Sequence, residues 1–109
     1  MITFETTFVP PIGQEVHPQW GDRLQAATAV LGDEESAQQF VDRIPQKEYM
    51  LVAHIGDRAI GLQHLDWDEY DLSVYVGHQA LSASLTDTEK DGLSEALRDA
   101  ARGRYEDIF

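Results

Sequence analysis

The stretch "LVAHIGDRAIGL", residues 51–62, sets two apolar runs on either side of Gly56-Asp57. That pair suits a two-residue hairpin turn with glycine at the first central position, where φ is positive. The constraint is strong because side chains on a strand alternate with a period of two. A one-residue slip would turn every apolar group to the wrong side. This turn pairs Leu51 with Leu62 and Ala53 with Ile60. A second turn at Asp66-Trp67-Asp68 places Leu62 opposite Leu72 and Ile60 opposite Val74. Both turns then yield one apolar face: Leu51, Ala53, Ile55, Ile60, Leu62, Leu72, Val74 and Val76. The other face, with Met50, Val52, His54, Gln63, Glu69, Asp71, Ser73 and Tyr75, is only partly apolar. Residues 49–76 are therefore expected to form a three-stranded antiparallel meander.

Upstream, residues 2–9 alternate, with Ile2, Phe4 and Phe8 on one side and Thr3, Glu5 and Thr7 on the other; Pro10-Pro11 stops the strand. "HPQWGDRLQAATAVLG" follows, with Pro18 fitted to a first helical position and Trp20, Leu24, Ala27 and Leu31 at helical spacing. Gly32 suits a C-terminal stop. Asp33 can cap a second helix with the stripe Ala37, Phe40, Val41 and Ile44, ended by Pro45. A last helix from about Asp87 has the capping box Thr86/Glu89 and the stripe Leu93, Ala96, Leu97, Ala100 and Ala101. The order β-α-α-β-β-β-α specifies a single α+β domain over residues 1–109, an antiparallel sheet with helices packed on it.

The chain has 20 acidic residues against 8 basic ones, a net charge of −12. The excess is spread: 7 acids and 2 bases in residues 1–46, 13 acids and 6 bases thereafter. Such a surface repels nucleic acid and anionic membranes and attracts basic proteins. Solubility, or life in high salt, would produce the same bias. There is no cysteine, which excludes disulfides, thiolate metal sites and a cysteine nucleophile. No signal-peptide pattern follows Met1, and no apolar run reaches the roughly 18 residues a membrane span needs, so a cytoplasmic location is expected.

Two acidic clusters are candidate partner-binding surfaces. In "LDWDEYDL", Asp66, Asp68, Glu69 and Asp71 surround Trp67, an anchor type favoured at interface hot spots. A calcium loop would need a ligand where Tyr70 stands and a late glutamate where Gly77 stands, so no metal site is expected. The second cluster, Asp87, Asp91, Glu95 and Asp99, repeats at i, i+4 and climbs roughly 18 Å at about 1.5 Å per residue. That ridge can imitate a phosphate backbone, although Lys90, Arg98 and Arg102 stand three residues beyond Asp87, Glu95 and Asp99. The four histidines show no metal-binding spacing, and His64 is expected opposite Tyr49, away from His54. Phosphate loops, nucleophile elbows and dinucleotide fingerprints are absent. No catalytic residue and no cofactor are expected.

Leu51-Val52-Ala53, Gly56, Ile60-Gly61, Leu62 and Leu72 through Val76, with the strand and two helices before them, resemble the N-terminal half of GNAT-type N-acetyltransferases over residues 1–78. The resemblance implies a reduced GNAT-like fold. The family's R/Q-x-x-G-x-G/A loop, whose backbone amides hold the acyl-CoA pyrophosphate, is not matched by "GHQALSASLTDTEKDG". No functional residue of the family carries over, and the implied form is noncatalytic.

The combined expectation is a noncatalytic acidic protein that binds a basic, nucleic-acid-handling protein surface. Small inhibitors of nucleic-acid enzymes, such as phage or mobile-element anti-defence proteins of the anti-CRISPR kind, have this size and charge. The alternatives are a diverged acyltransferase or acyl-CoA-binding domain, and an acidic housekeeping domain of halophile type.

Overall fold

The computed structural model describes residues 3–9, 22–45, 48–68 and 73–102. It is an α+β fold in the expected order: β1 (Glu5–Val9), α1 (Arg23–Leu31), α2 (Glu34–Asp42), β2 (Tyr49–Ile55), β3 (Arg58–Asp68), β4 (Ser73–Leu81) and α3 (Asp87–Arg102). The four strands form one antiparallel sheet in the order β1-β2-β3-β4.

Local chemistry sets the helix ends. Asp22 is extended, and its carboxylate accepts from the Gln25 backbone N–H at 2.8 Å, so α1 starts at Arg23. This corrects the expected start near Pro18; Pro18 and Trp20 lie outside the described residues. Gly32 ends α1 at φ 84°, a backbone state that costs glycine no Cβ clash. Asp33 then caps α2, accepting from Ser36 N–H at 2.7 Å. Thr86 and Glu89 close the capping box of α3 in both directions, at 2.9 and 3.1 Å. No helix among the described residues is long and apolar enough to cross a membrane.

Strand register departs from expectation in two places. The Gly56 turn forms with φ 60°, and Ile55 faces Arg58 as the turn requires. One step on, His54 pairs with Ala59 but Ala53 pairs with Gly61, leaving Ile60 as a bulge. Leu62 therefore lies opposite Val52 and moves to the other face of the sheet. The second turn is not at 66–68. β3 runs through Asp68, and Leu62 pairs with Ala80 rather than Leu72. A second irregularity, between Gln63 and Leu65, sets His64 against the Gly77-His78 pair of β4.

The expected single apolar face is thus replaced by two buried faces. On one, Val9, Met50, Val52, Ala59 and Leu62 pack against Ala26, Ala27 and Val30 of α1 and Ala37 and Phe40 of α2. On the other, Ala53 and Ile60 meet Leu93 and Leu97 of α3, and Leu51 and Leu65 meet Ala101. Each fully buried leucine contributes roughly 1.5–3 kcal/mol of transfer free energy. Leu24 and Leu31, expected in the α1 stripe, are only half-buried, and Arg23 is buried instead. Ile55, expected in the core, is exposed beside the turn.

Candidate functional site

The acidic ridge of α3 takes the position its spacing requires. Leu93, Leu97 and Ala101 are buried against the sheet, while Asp87, Asp91, Glu95 and Asp99 are all exposed. Asp99 forms an ion pair with Arg102 at 3.1 Å. Both side chains are more than half exposed, and pairs of this kind contribute about 0–1 kcal/mol. The pairing neutralises one end of the row. Glu89 is turned to the cap: the Thr86 backbone N–H holds its carboxyl below the usual glutamate range, assisted by the Thr86 hydroxyl.

Asp66, Trp67 and Asp68 of the other cluster lie at the end of β3, not in a turn. Asp66 is exposed on β3 opposite Tyr75, and the backbones of Trp67 and Asp68 pair with Val74 and Ser73. Glu69 and Asp71 lie outside the described residues.

A third polar group was not anticipated. His64 Nε2 donates to Glu48 Oε1 at 2.7 Å, and both side chains are about 95% buried. The His64 ring lies 4.7 Å from that of His78, tilted by 49°. His78 in turn meets Phe40 of α2 edge-to-face at 5.7 Å. His64 is opposite Met50, not Tyr49 as expected. The Arg23 guanidinium, on α1, donates to the carbonyls of Ile44, Pro45 and Glu48. Burial lowers the Arg23 pKa, with the negative charge of Glu48 opposing the shift.

Position in the fold limits what this group can do. His64 Nδ1 has no hydrogen-bond partner among the described residues, and it lies against Gly77, where an added Cβ would sit 2.4 Å away. Gly77 therefore covers that nitrogen on the β4 side. Among the described residues no three His, Asp or Glu side chains are placed to hold a metal ion. His54 lies apart, its Nε2 2.7 Å from the Thr7 hydroxyl and its Nδ1 2.9 Å from the Gly56 carbonyl.

Comparison with protein-family models and with curated proteins returned no match.

On the opposite face of the sheet, Gln63, Gln79 and Ser94 are neutral and hydrogen-bonded. Gln63, fully buried, donates to the carbonyls of His64 and Gly77 at 3.0 and 3.2 Å, satisfying backbone groups that the β4 irregularity removes from the ladder. Gln79 donates to Gln63 Oε1 at 2.7 Å and to the Ser94 carbonyl at 2.8 Å. The Ser94 hydroxyl returns a bond to Gln79 Oε1 at 2.6 Å. This chain anchors α3 to β4 and holds the acidic ridge in a defined orientation.

Proposed function

We propose that the protein is a noncatalytic acidic interaction protein, acting in the cytoplasm, whose α3 ridge engages a basic, nucleic-acid-handling protein surface. The observation that carries this reading is the shared outward face of Asp87, Asp91, Glu95 and Asp99 on a helix whose other side is anchored by Leu93, Leu97 and Ser94. A rigid row of carboxylates presents charge at fixed intervals, which is what a surface built for phosphates recognises. Asp66 on β3, with Trp67, Asp68, Glu69 and Asp71, is the second candidate contact.

The GNAT resemblance supplies the runner-up, an acyl-CoA-binding domain. The element order through β4 agrees with that family's first half. Against it, the loop before α3, residues 82–86, contains no glycine, and the N-terminus of α3 carries Asp87 and Glu89 beside a closed capping box. Carboxylates there oppose a pyrophosphate. Millimolar acetyl-CoA is expected to leave the melting temperature unchanged; a saturable rise would put the acyltransferase reading first.

The test of the leading reading is affinity capture at low ionic strength, followed by competition of the captured protein with duplex DNA and RNA. Binding should weaken steeply as salt rises, because exposed charges are screened within about 8 Å at physiological ionic strength. Neutralising Asp91 and Glu95 together should remove most of the affinity. Equal, small losses for every pair of neutralised acids would instead assign the charge to solubility or a saline cytosol.

A further inference from the structure

We infer that Glu48, His64 and His78 form an acid-operated latch that holds α2 and the following connection on the sheet while His78 is neutral and loosens them when it is protonated. The geometry carries the argument. α2 reaches the sheet through Ala37 and Phe40, and Phe40 stands edge-to-face against the ring of His78. After α2, the Ile44 and Pro45 carbonyls are held by Arg23, and Glu48 binds His64. His78 thus stands between α2 and the Glu48–His64 pair.

A proton added to this group meets charges from each neighbouring element. On α1, Arg23 is positive and engages the Glu48 carbonyl. At the C-terminal cap of α2, Arg43 is positive and disfavours a charged His78. On the connection, Glu48 is committed to His64. On β3, a charge on His64 opposes one on His78, while Asp66, exposed at the surface, favours it. On β2, His54 shares this face but is four residues along the strand from Met50, the partner of His64, and is bound to Thr7 and Gly56. On β4 itself, Gln79 is neutral and engaged with Gln63 and Ser94. The backbone at Arg43 favours the charged ring, but burial, His64 and Arg43 together leave His78 below the usual histidine pKa. His78 Nε2 is buried with no hydrogen-bond partner among the described residues. Movement of Phe40 and α2 away from the ring opens Nε2 to water.

The test combines imidazole NMR titration of the whole protein with residue-resolved amide exchange at about pH 7.5 and about pH 5.5, corrected for intrinsic exchange rates. His78 is expected to titrate below about 6.5, the ordinary histidine value. Over the same interval the α2 amides should lose protection relative to those of β2 and α3. His78→Gln should abolish that selective pH response. Titration of His78 at or above its ordinary value would overturn the latch. So would a loss shared equally by α2, β2 and α3, or an unchanged response in His78→Gln. Should that variant not fold, the wild-type titration and the distribution of its exchange decide the question.

Discussion

Among the described residues, the α3 face of the sheet holds buried Gln63 with half-buried Gln79 and Ser94, neutral and joined in one chain of hydrogen bonds. The α1/α2 face holds buried Arg23, Glu48, His54 and His64, with His78 half-buried beside them. The two faces bury similar aliphatic groups, so the difference lies in response, not in packing. Amides and a hydroxyl keep their hydrogen-bonding pattern at any ordinary pH. Imidazoles change charge close to neutrality, and a buried charge without a partner is costly. A thin sheet can therefore hold one helix with bonds insensitive to acid and another with bonds that depend on it.

The largest test of this contrast is truncation on the α3 face. Leu97→Ala removes a fully buried side chain that touches the space above Gly61 and should cost about 2–5 kcal/mol in urea unfolding, with no change in its pH dependence. A marked pH effect in that variant would mean that the two faces are not independent.

Next in size is Gly77→Ala. The new methyl would meet His64 at 2.4 Å, so the ring or the strand must shift, and overpacking of this kind typically costs about 1–3 kcal/mol. The added loss should accompany an altered His64 resonance; wild-type stability would show that the ring moves freely and that the imidazole pair is loosely held.

The wild-type pH profile gives an effect with a fixed sign. His78 sits below its ordinary pKa in the fold, chiefly through burial, so the unfolded chain takes up that proton first as the pH falls. Its contribution is complete above about 6.5, declines below that value, and is lost as the pH falls through the folded pKa. Denaturation midpoints should drop across this interval in the wild type, and the His78→Gln profile should be flatter. Asp33 and Glu89, both lowered by backbone hydrogen bonds at helix caps, add a separate loss near the carboxylate range.

Thr86→Ala should cost about 0.5–2 kcal/mol by opening the cap of α3, with no effect on the imidazole titration. The smallest stability effect belongs to the ridge. Asp91→Asn with Glu95→Gln should change stability by less than about 0.5 kcal/mol, because both positions are exposed, while abolishing most salt-sensitive capture. A large stability change would move the ridge from a binding role to a structural one.

Most helix boundaries were legible because their determinants lie within four residues. Asp33, the Thr86/Glu89 box and Gly32 act through their own backbone neighbourhood. Pro18 fits a first helical turn and suggests an earlier start for α1, whereas Asp22 supplies the cap that forms. The exposure of Asp87, Asp91, Glu95 and Asp99 followed from the helical period and the opposing leucines. The placement of Asp66 in a turn did not survive, since an acidic, aromatic stretch suits either a turn or a strand end and only the pairing with Tyr75 distinguishes them. The histidine cluster had no local signal: Glu48, His64 and His78 are spread over three segments.

Amino-acid order was enough for the element types, the α+β class, the helix caps and the charge on the outer face of α3, since each depends on neighbours in the chain. The register beyond the first hairpin pair, the burial of both sheet faces and the meeting of His64 with His78 were decided in three dimensions. The bulge at Ile60 and the irregularity near Gly77 each alter which residues oppose one another. They are stabilised by what they bring together: Leu62 with the α1/α2 core, Ile60 with α3, and Gln63 with the Gly77 carbonyl.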